Sequence, residues 1–126
     1  MKRNPVGWFE IYVADIPRAK KFYESVFQIQ LQKLGLDDSP DFEMWAFPGS
    51  PEAGGTSGTI CKMTGFEPAR NSIVIYFSCQ DCSIEENRVV QYGGRIQKSK
   101  ESIGAYGFIS LVYDTEGNMI GLHSMK

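Results

Sequence analysis

Residues 8–27, WFEIYVADIPRAKKFYESVF, are the stretch that decides the fold. Phe9, Ile11 and Val13 alternate with Trp8, Glu10 and Tyr12 along residues 8–13. This period of two predicts a strand with one set of side chains on each face.

A helix is predicted directly after this strand. Asp15 stands at the position of a helix N-cap, and Pro17 lies in the first helical turn. Apolar residues then recur at helical spacing, with charged residues between them: Ile16, Ala19, Tyr23, Val26 and Phe27. The pattern indicates an amphipathic helix of about three turns. Further strands are predicted at residues 29–34, 42–47 and 56–63.

The same order of elements then begins again. Residues 72–79 form a strongly apolar predicted strand, and Asp81 follows 66 residues after Asp15. Ser83 and Glu86 have the spacing of a capping box, and Gly93-Gly94 predicts the end of the helix. Strands are predicted at residues 95–98, 106–113 and 118–123, with a hairpin turn at 114–118 between the last two.

Two copies of a βαβββ unit predict an α+β fold, in which two modules form an eight-stranded cup with both helices outside. The residues expected to face the helices are Phe9, Ile11, Val13, Ile73, Ile75, Phe77 and Cys79. The residues expected to line the concave side are Trp8, Glu10, Tyr12, Val74, Tyr76 and Ser78. The faces follow from the alternation of side chains along a strand.

Composition and charge exclude several classes of partner. The chain has 126 residues, a net charge of −2 and both signs of charge dispersed along it. It offers no basic stripe for nucleic acid and no polybasic anchor for a membrane. The first residues resemble neither a signal peptide nor a membrane span, and three cysteines fit a reducing compartment better than a disulfide framework. We therefore expect a cytoplasmic protein.

Two segments resemble a known family. Residues 10–27 resemble the opening of glyoxalase-type proteins, and residues 113–123, YDTEGNMIGLH, resemble their closing hairpin. The chain is similar on these residues to the glyoxalase/bleomycin resistance protein/extradiol dioxygenase (vicinal oxygen chelate) superfamily. Within it, the chain looks like the predicted relatives of lactoylglutathione lyase. The resemblance implies a single domain over residues 1–126, with modules at 6–65 and 70–126.

The resemblance also locates the family's metal-ligand positions. In metal-using members, three side chains on the concave strands bind a divalent ion. The equivalent positions here hold Trp8, Val74 and Gly121, none of which binds such an ion through its side chain. We therefore expect no cofactor, and a divalent metal only at a displaced site.

Glu10 and His123 are the candidate catalytic residues. Each lies two residues beyond an empty ligand position on the same strand face, so together they suggest a displaced acid–base pair or a displaced metal site. Desolvation among aromatic neighbours is expected to raise the pKa of Glu10. The alternatives are a Glu at a wet cleft mouth and an unimportant His near the chain terminus.

Cysteines and aromatic residues give two further signals. Cys79 and Cys82 form a C-x-x-C at a strand-to-helix junction, which suggests thiol redox chemistry; two small buried residues are the favoured alternative. Aromatic residues expected to contact a flat or apolar ligand are Trp8, Tyr12, Trp45, Tyr76 and Tyr106.

Three functions remain open on the sequence. The first is a binding module that holds a small organic ligand without a metal, as bleomycin-sequestering relatives do. The second is a lyase, isomerase or dioxygenase-type enzyme that uses Glu10 and His123. The third is a thiol redox protein. The empty ligand positions favour the first. Because the concave faces need a covering unit, we also expect a homodimer.

Overall fold

The computed structural model describes residues 4, 6, 8–35, 41–50, 53–68 and 73–126. The elements of the first module are β1 (Trp8–Tyr12), α1 (Ile16–Phe27), β2 (Gln32–Lys33), β3 (Phe42–Ala46) and β4 (Ser57–Met63). Those of the second are β5 (Tyr76–Ser78), α2 (Cys82–Gln91), β6 (Arg95–Ser102), a 3₁₀ turn (Gly104–Tyr106), β7 (Phe108–Tyr113) and β8 (Met119–Ser124).

Both modules have the same sheet topology. The strand orders are β1-β4-β3-β2 and β5-β8-β7-β6. The first strand of each module pairs in parallel with the last, and the remaining pairs are antiparallel. The predicted α+β fold with duplicated βαβββ modules is therefore confirmed, as two four-stranded sheets.

Both helices begin at the predicted aspartates, but the second cap differs from the prediction. The Asp15 carboxylate accepts from Arg18 N at 2.9 Å, and the Asp81 carboxylate accepts from Ser83 N at 3.0 Å. The proposed capping box of Ser83 and Glu86 is wrong. Glu86 Oε1 instead accepts from Lys100 N and from the Ser110 hydroxyl, both at 2.7 Å. Because those partners lie on neighbouring strands, Glu86 fastens α2 to its sheet.

Several strands differ from the prediction. β6 continues to Ser102 instead of ending at 98, and β7 begins at Phe108 instead of 106 because Tyr106 belongs to the 3₁₀ turn. Two further strands are much shorter than predicted. The predicted strand at residues 29–34 contains only β2, since Ile29 N donates to the Glu24 carbonyl and Leu31 N to the Glu24 carboxylate. These bonds tie the segment to the end of α1 instead of to a strand. The predicted strand at 72–79 is regular only at β5; residue 72 lies outside the described residues.

The predicted alternation of faces is seen in β1 and β8. Ile11 is 5% exposed and belongs to the core beneath α1, whereas Trp8 is 46% exposed. In β8, Ile120 and Leu122 belong to the same core, which places Gly121 and His123 on the opposite face. A single core therefore serves both modules.

The hairpin between β7 and β8 joins the modules. The Glu116 carboxylate accepts from Ala14 N (3.0 Å) and Asp15 N (3.1 Å), and from Arg18 Nε at 2.6 Å. Asn118 Nδ2 donates to the Tyr12 carbonyl at 3.0 Å. This arrangement sets the end of β1 beside the start of β8.

Candidate ligand-binding cleft

Glu10 is held by its two neighbours on the same face of β1. Trp8 Nε1 donates to Glu10 Oε2 at 3.1 Å, and the Tyr12 hydroxyl donates to Oε1 at 2.7 Å. The bonds form because residues two apart on a strand point the same way. One neutral donor therefore binds each carboxylate oxygen.

Tyr12 remains a donor at neutral pH. Its hydrogen bond to Glu10, with smaller contributions from burial and from the Glu10 charge, raises the pKa of Tyr12 to about 12. The Tyr12 ring also stacks on Phe66, with 5.4 Å between the ring centroids. Both interactions hold the phenol in place beside the carboxylate.

A cleft of about 320 Å³ lies between the two sheets at this point. Its walls combine β1, the residues after β4, the residues before β5, and the start of β8. The apolar side chains that line it include Phe66, Pro68, Ile73, Ile75 and Ile120, and the polar ones are Glu10, Tyr12, Glu67 and Asn118. The cleft is therefore mainly apolar, with a fixed carboxylate.

Tyr76 covers Gly121 on the second sheet. The two residues are paired across β5 and β8, and a β-carbon at 121 would overlap the Tyr76 ring. Tyr76 is 48% exposed. The absence of a side chain at 121 is thus what allows the ring to lie flat on the sheet.

His123 is engaged away from the cleft. Its Nε2 lies 2.7 Å from the Tyr106 carbonyl oxygen, and the Tyr106 side chain itself is 77% exposed. Of the seven residues predicted for the site, the described cleft lining contains Glu10 and Tyr12, with Trp8 bonded to Glu10. The structure does not bring His123, Tyr76 or Tyr106 to this cleft.

Trp45 lies on the other side of its sheet, in contrast to its predicted place in the site. It is paired with the core residue Ile60, and Lys20 Nζ of α1 lies 5.0 Å from its ring centroid. Its Nε1 donates to Glu43 Oε2 at 2.7 Å. Aromatic content alone did not reveal this face; the antiparallel pairing of Trp45 with Ile60 does.

Comparison with known proteins gives the family. A model of the Glyoxalase/Bleomycin resistance protein/Dioxygenase superfamily matches residues 6–122. The chain belongs to this superfamily.

Solved structures agree with that fold. Maize glyoxalase I is 19% identical with a TM-score of 0.71; the match covers 94% of this chain and 45% of the maize chain, so this chain spans about half its length. TnmS3, an antibiotic binding protein from a Streptomyces species, is 20% identical with a TM-score of 0.67, and 98% of each chain is covered. A family enzyme from Burkholderia phytofirmans is 13% identical with a TM-score of 0.66, covering 95% of this chain and 98% of that one.

No curated protein matches the chain. Among the described helices, none is long and apolar enough to cross a membrane.

The residues of this superfamily member do not fit a metal at the usual position. Trp8, Val74 and Gly121 supply no ligand atom from a side chain, and the Tyr76 ring fills the space beside Gly121. Across the described ranges, no three His, Cys, Asp or Glu residues form a group that could hold a metal ion. We derive no metal-dependent step for this cleft.

The thiols are poorly suited to redox chemistry. Burial, together with smaller contributions from the nearby Glu85, raises the pKa of Cys79 to about 12. Burial likewise raises the pKa of Cys61 to about 11. Since the thiolate is the reactive form, the raised pKa values of Cys79 and Cys61 disfavour reaction of these two thiols at neutral pH.

Sequence reasoning missed the part of the cleft that follows β4. Phe66, Glu67 and Pro68 lie beside the end of β1 because β1 and β4 run in parallel. The carboxyl ends of parallel neighbours lie at the same edge of a sheet. The parallel pairing of β1 with β4 was the missing information.

Proposed function

We propose that this chain is a metal-independent binding protein that holds a small organic ligand in the cleft between its sheets. The observation that carries the proposal is the fixed Glu10 carboxylate in a mainly apolar cleft of about 320 Å³. Small-molecule sites combine apolar walls with a few oriented polar groups in this way. The name of TnmS3, an antibiotic binding protein of the same fold, supports a binding role.

An enzymatic role for Glu10 and His123 is the second candidate. Trp8 and Tyr12 position the Glu10 carboxylate, and a positioned carboxylate is a candidate general base. Its expected partner, His123, bonds the Tyr106 carbonyl within its own chain. An acid–base pair would thus require a second chain that brings its His123 to Glu10.

We infer a homodimer in the cytoplasm as the working form. Trp8 and Tyr76, each about half exposed on the sheet faces away from the helices, are apolar surface that a second copy would bury. Three free cysteines support a reducing compartment. Sedimentation should give twice the chain mass of 14.2 kDa; a mass near 14 kDa at all micromolar concentrations contradicts the dimer.

Tryptophan fluorescence provides the test of binding. In Trp45→Phe protein, Trp8 is the single reporter, and its bond to Glu10 places it at the cleft. We expect flat aromatic compounds to give a saturable change in emission that weakens in Phe66→Ala. Tyr106→Ala, which removes an exposed tyrosine outside the cleft, serves as the matched control. No saturable change across an aromatic library, or equal affinity in Phe66→Ala, contradicts the proposal.

A further inference from the structure

The charged side chains among the described residues that line the cleft are all negative. Glu10 and Glu67 both line it, and among its described lining residues there is no lysine, arginine or histidine. Lys62 on the adjacent strand β4 shares the face of Ile60, a core residue under the helices. Lys62 is not among the described residues that line the cleft.

The Glu10 carboxylate keeps acceptor capacity for a ligand. Each of its oxygens accepts one hydrogen bond, from Trp8 or from Tyr12, and each carboxylate oxygen has a second lone pair. The indole N–H and the phenol O–H are neutral donors, so they orient the carboxylate without cancelling its charge. The result is an oriented anion; with respect to the described residues, each of its oxygens keeps one further acceptor position.

Aromatic faces adjoin this anion. The rings of Tyr12 and Phe66 are stacked with an angle of 29° between their planes, and Phe66 is 52% exposed. The free face of such a ring attracts cations and offers a flat surface to apolar groups. Ile75 and Pro68 extend the apolar wall.

We propose that the ligand of this cleft is an organic cation, an amine or quaternary ammonium group attached to a flat apolar body. The cationic group binds the Glu10 carboxylate, with Glu67 as a second negative charge, and the apolar body packs against Phe66. This inference rests on the proposed binding function and adds the charge and shape of the ligand.

Three probes of equal size separate charge from shape: 2-naphthylmethylamine, 2-naphthylmethanol and 2-naphthoate. Titration calorimetry should show the amine binding about tenfold more tightly than the alcohol, the ratio expected for one charge-assisted hydrogen bond. The naphthoate should bind weakest. Added salt should lower the affinity for the amine and leave the affinity for the alcohol unchanged, because salt screens only the attraction between charged groups.

Glu10→Gln should lower the affinity for the amine to about the affinity of the same variant for the alcohol. Glu43→Gln is the matched control. Glu43 also accepts from an indole N–H, that of Trp45, but lies on the helix-facing side of β3. Both variants change the net charge by the same amount, so a loss of preference only in Glu10→Gln assigns the effect to the cleft.

The outcomes distinguish the two proposals. Equal binding of amine, alcohol and naphthoate, unchanged by salt, leaves the binding function standing and overturns the cationic ligand. Equal loss of preference in Glu10→Gln and Glu43→Gln also overturns it, because the effect is then one of overall charge. Binding by none of the three probes counts against the binding function itself.

Discussion

Tyr76 lies over Gly121, so that an aromatic ring occupies the space that a side chain at 121 would need. The same relationship occurs in the first module, where the Phe9 ring covers Gly58 across β1 and β4. The two rings lie on opposite faces of their sheets: Phe9 packs on the core beneath the helices, and Tyr76 lies on the face away from them. One ring-over-glycine contact therefore belongs to the core, and the other lies on the sheet face away from the helices.

Gly121→Ala is expected to lower the free energy of unfolding by about 1–3 kcal/mol, the usual cost of forcing extra atoms into an occupied space. The added methyl group must displace Tyr76, so Gly121→Ala should cost less stability in a Tyr76→Ala background than in the wild type. Urea denaturation measures the free energy of unfolding of the wild type, the two single variants and the double variant. Gly35→Ala is the control, because a β-carbon there meets nothing within 4 Å. Equal stability of Gly121→Ala and Gly35→Ala would show that Tyr76 moves aside freely.

The metal content of the purified protein is a second prediction, which concerns Gly121 together with Trp8 and Val74. With Trp8, Val74 and Gly121 in place of ligands, protein purified without a histidine tag should hold no stoichiometric zinc, nickel or iron by elemental analysis. One equivalent of metal that persists after dialysis and disappears in Glu10→Gln would contradict this prediction and favour an enzymatic role for Glu10.

The repeat and the helix starts could be predicted because their signals are local. The caps at Asp15 and Asp81, and the alternation in β1, depend on neighbouring residues only. The family resemblance rested on equally local segments at the two ends of the chain.

The site itself depended on contacts that local patterns do not contain. Phe66 enters the cleft through the parallel pairing of β1 with β4, and Glu86 was taken for a cap although its partners are Lys100 and Ser110 on neighbouring strands. Trp45 was predicted to contact the ligand because it is aromatic, but it lies on the helix-facing side of β3. In each instance a non-local partner decided the role of the side chain.

Glu116→Gln is expected to destabilise the protein by about 2–4 kcal/mol at pH 7, because several donors lose a charged acceptor that is inaccessible to solvent. Urea denaturation measures it. Glu101→Gln is the control, since Glu101 forms an exposed ion pair with Lys98. A change below about 0.5 kcal/mol in Glu116→Gln, the range of ordinary surface substitutions, would show that the hairpin contributes little to joining the modules.

The difference in free energy of unfolding between wild type and Glu116→Gln should depend on pH. Burial raises the pKa of Glu116, but hydrogen bonds from Arg18, Thr115 and the backbone N–H groups of Ala14 and Asp15 outweigh it and hold the pKa below its usual 4.5. A lowered native pKa stabilises the fold above the unfolded value and loses that stabilisation as pH falls. The gap between wild type and Glu116→Gln should therefore narrow below about pH 4.5.

The native thiols should react slowly with a disulfide reagent at pH 8, since Cys79 and Cys61 have raised pKa values and Cys82 is buried. All three should react at once in denaturant. Cys79→Ser and Cys82→Ser should leave ligand binding unchanged. Rapid formation of a bond between Cys79 and Cys82 under mild oxidant, without unfolding, would revive the thiol redox function.

The pKa of Tyr12 gives the most direct test of the Glu10 geometry. The neutral phenol donates to the Glu10 carboxylate, whereas a phenolate would face it as a like charge, so the pKa of Tyr12 is raised to about 12. Glu10→Gln should bring it back toward 10, and Glu67→Gln should leave it unchanged. Carbon NMR of labelled tyrosine, assigned with Tyr12→Phe, measures the titration. Tyr23, whose pKa burial raises well above 10, does not interfere. A Tyr12 pKa near 10 in the wild-type protein would mean that its hydroxyl does not hold Glu10 in solution. The carboxylate would then be free to turn out of the cleft, and the argument for a fixed anion facing the ligand would lose its geometric basis.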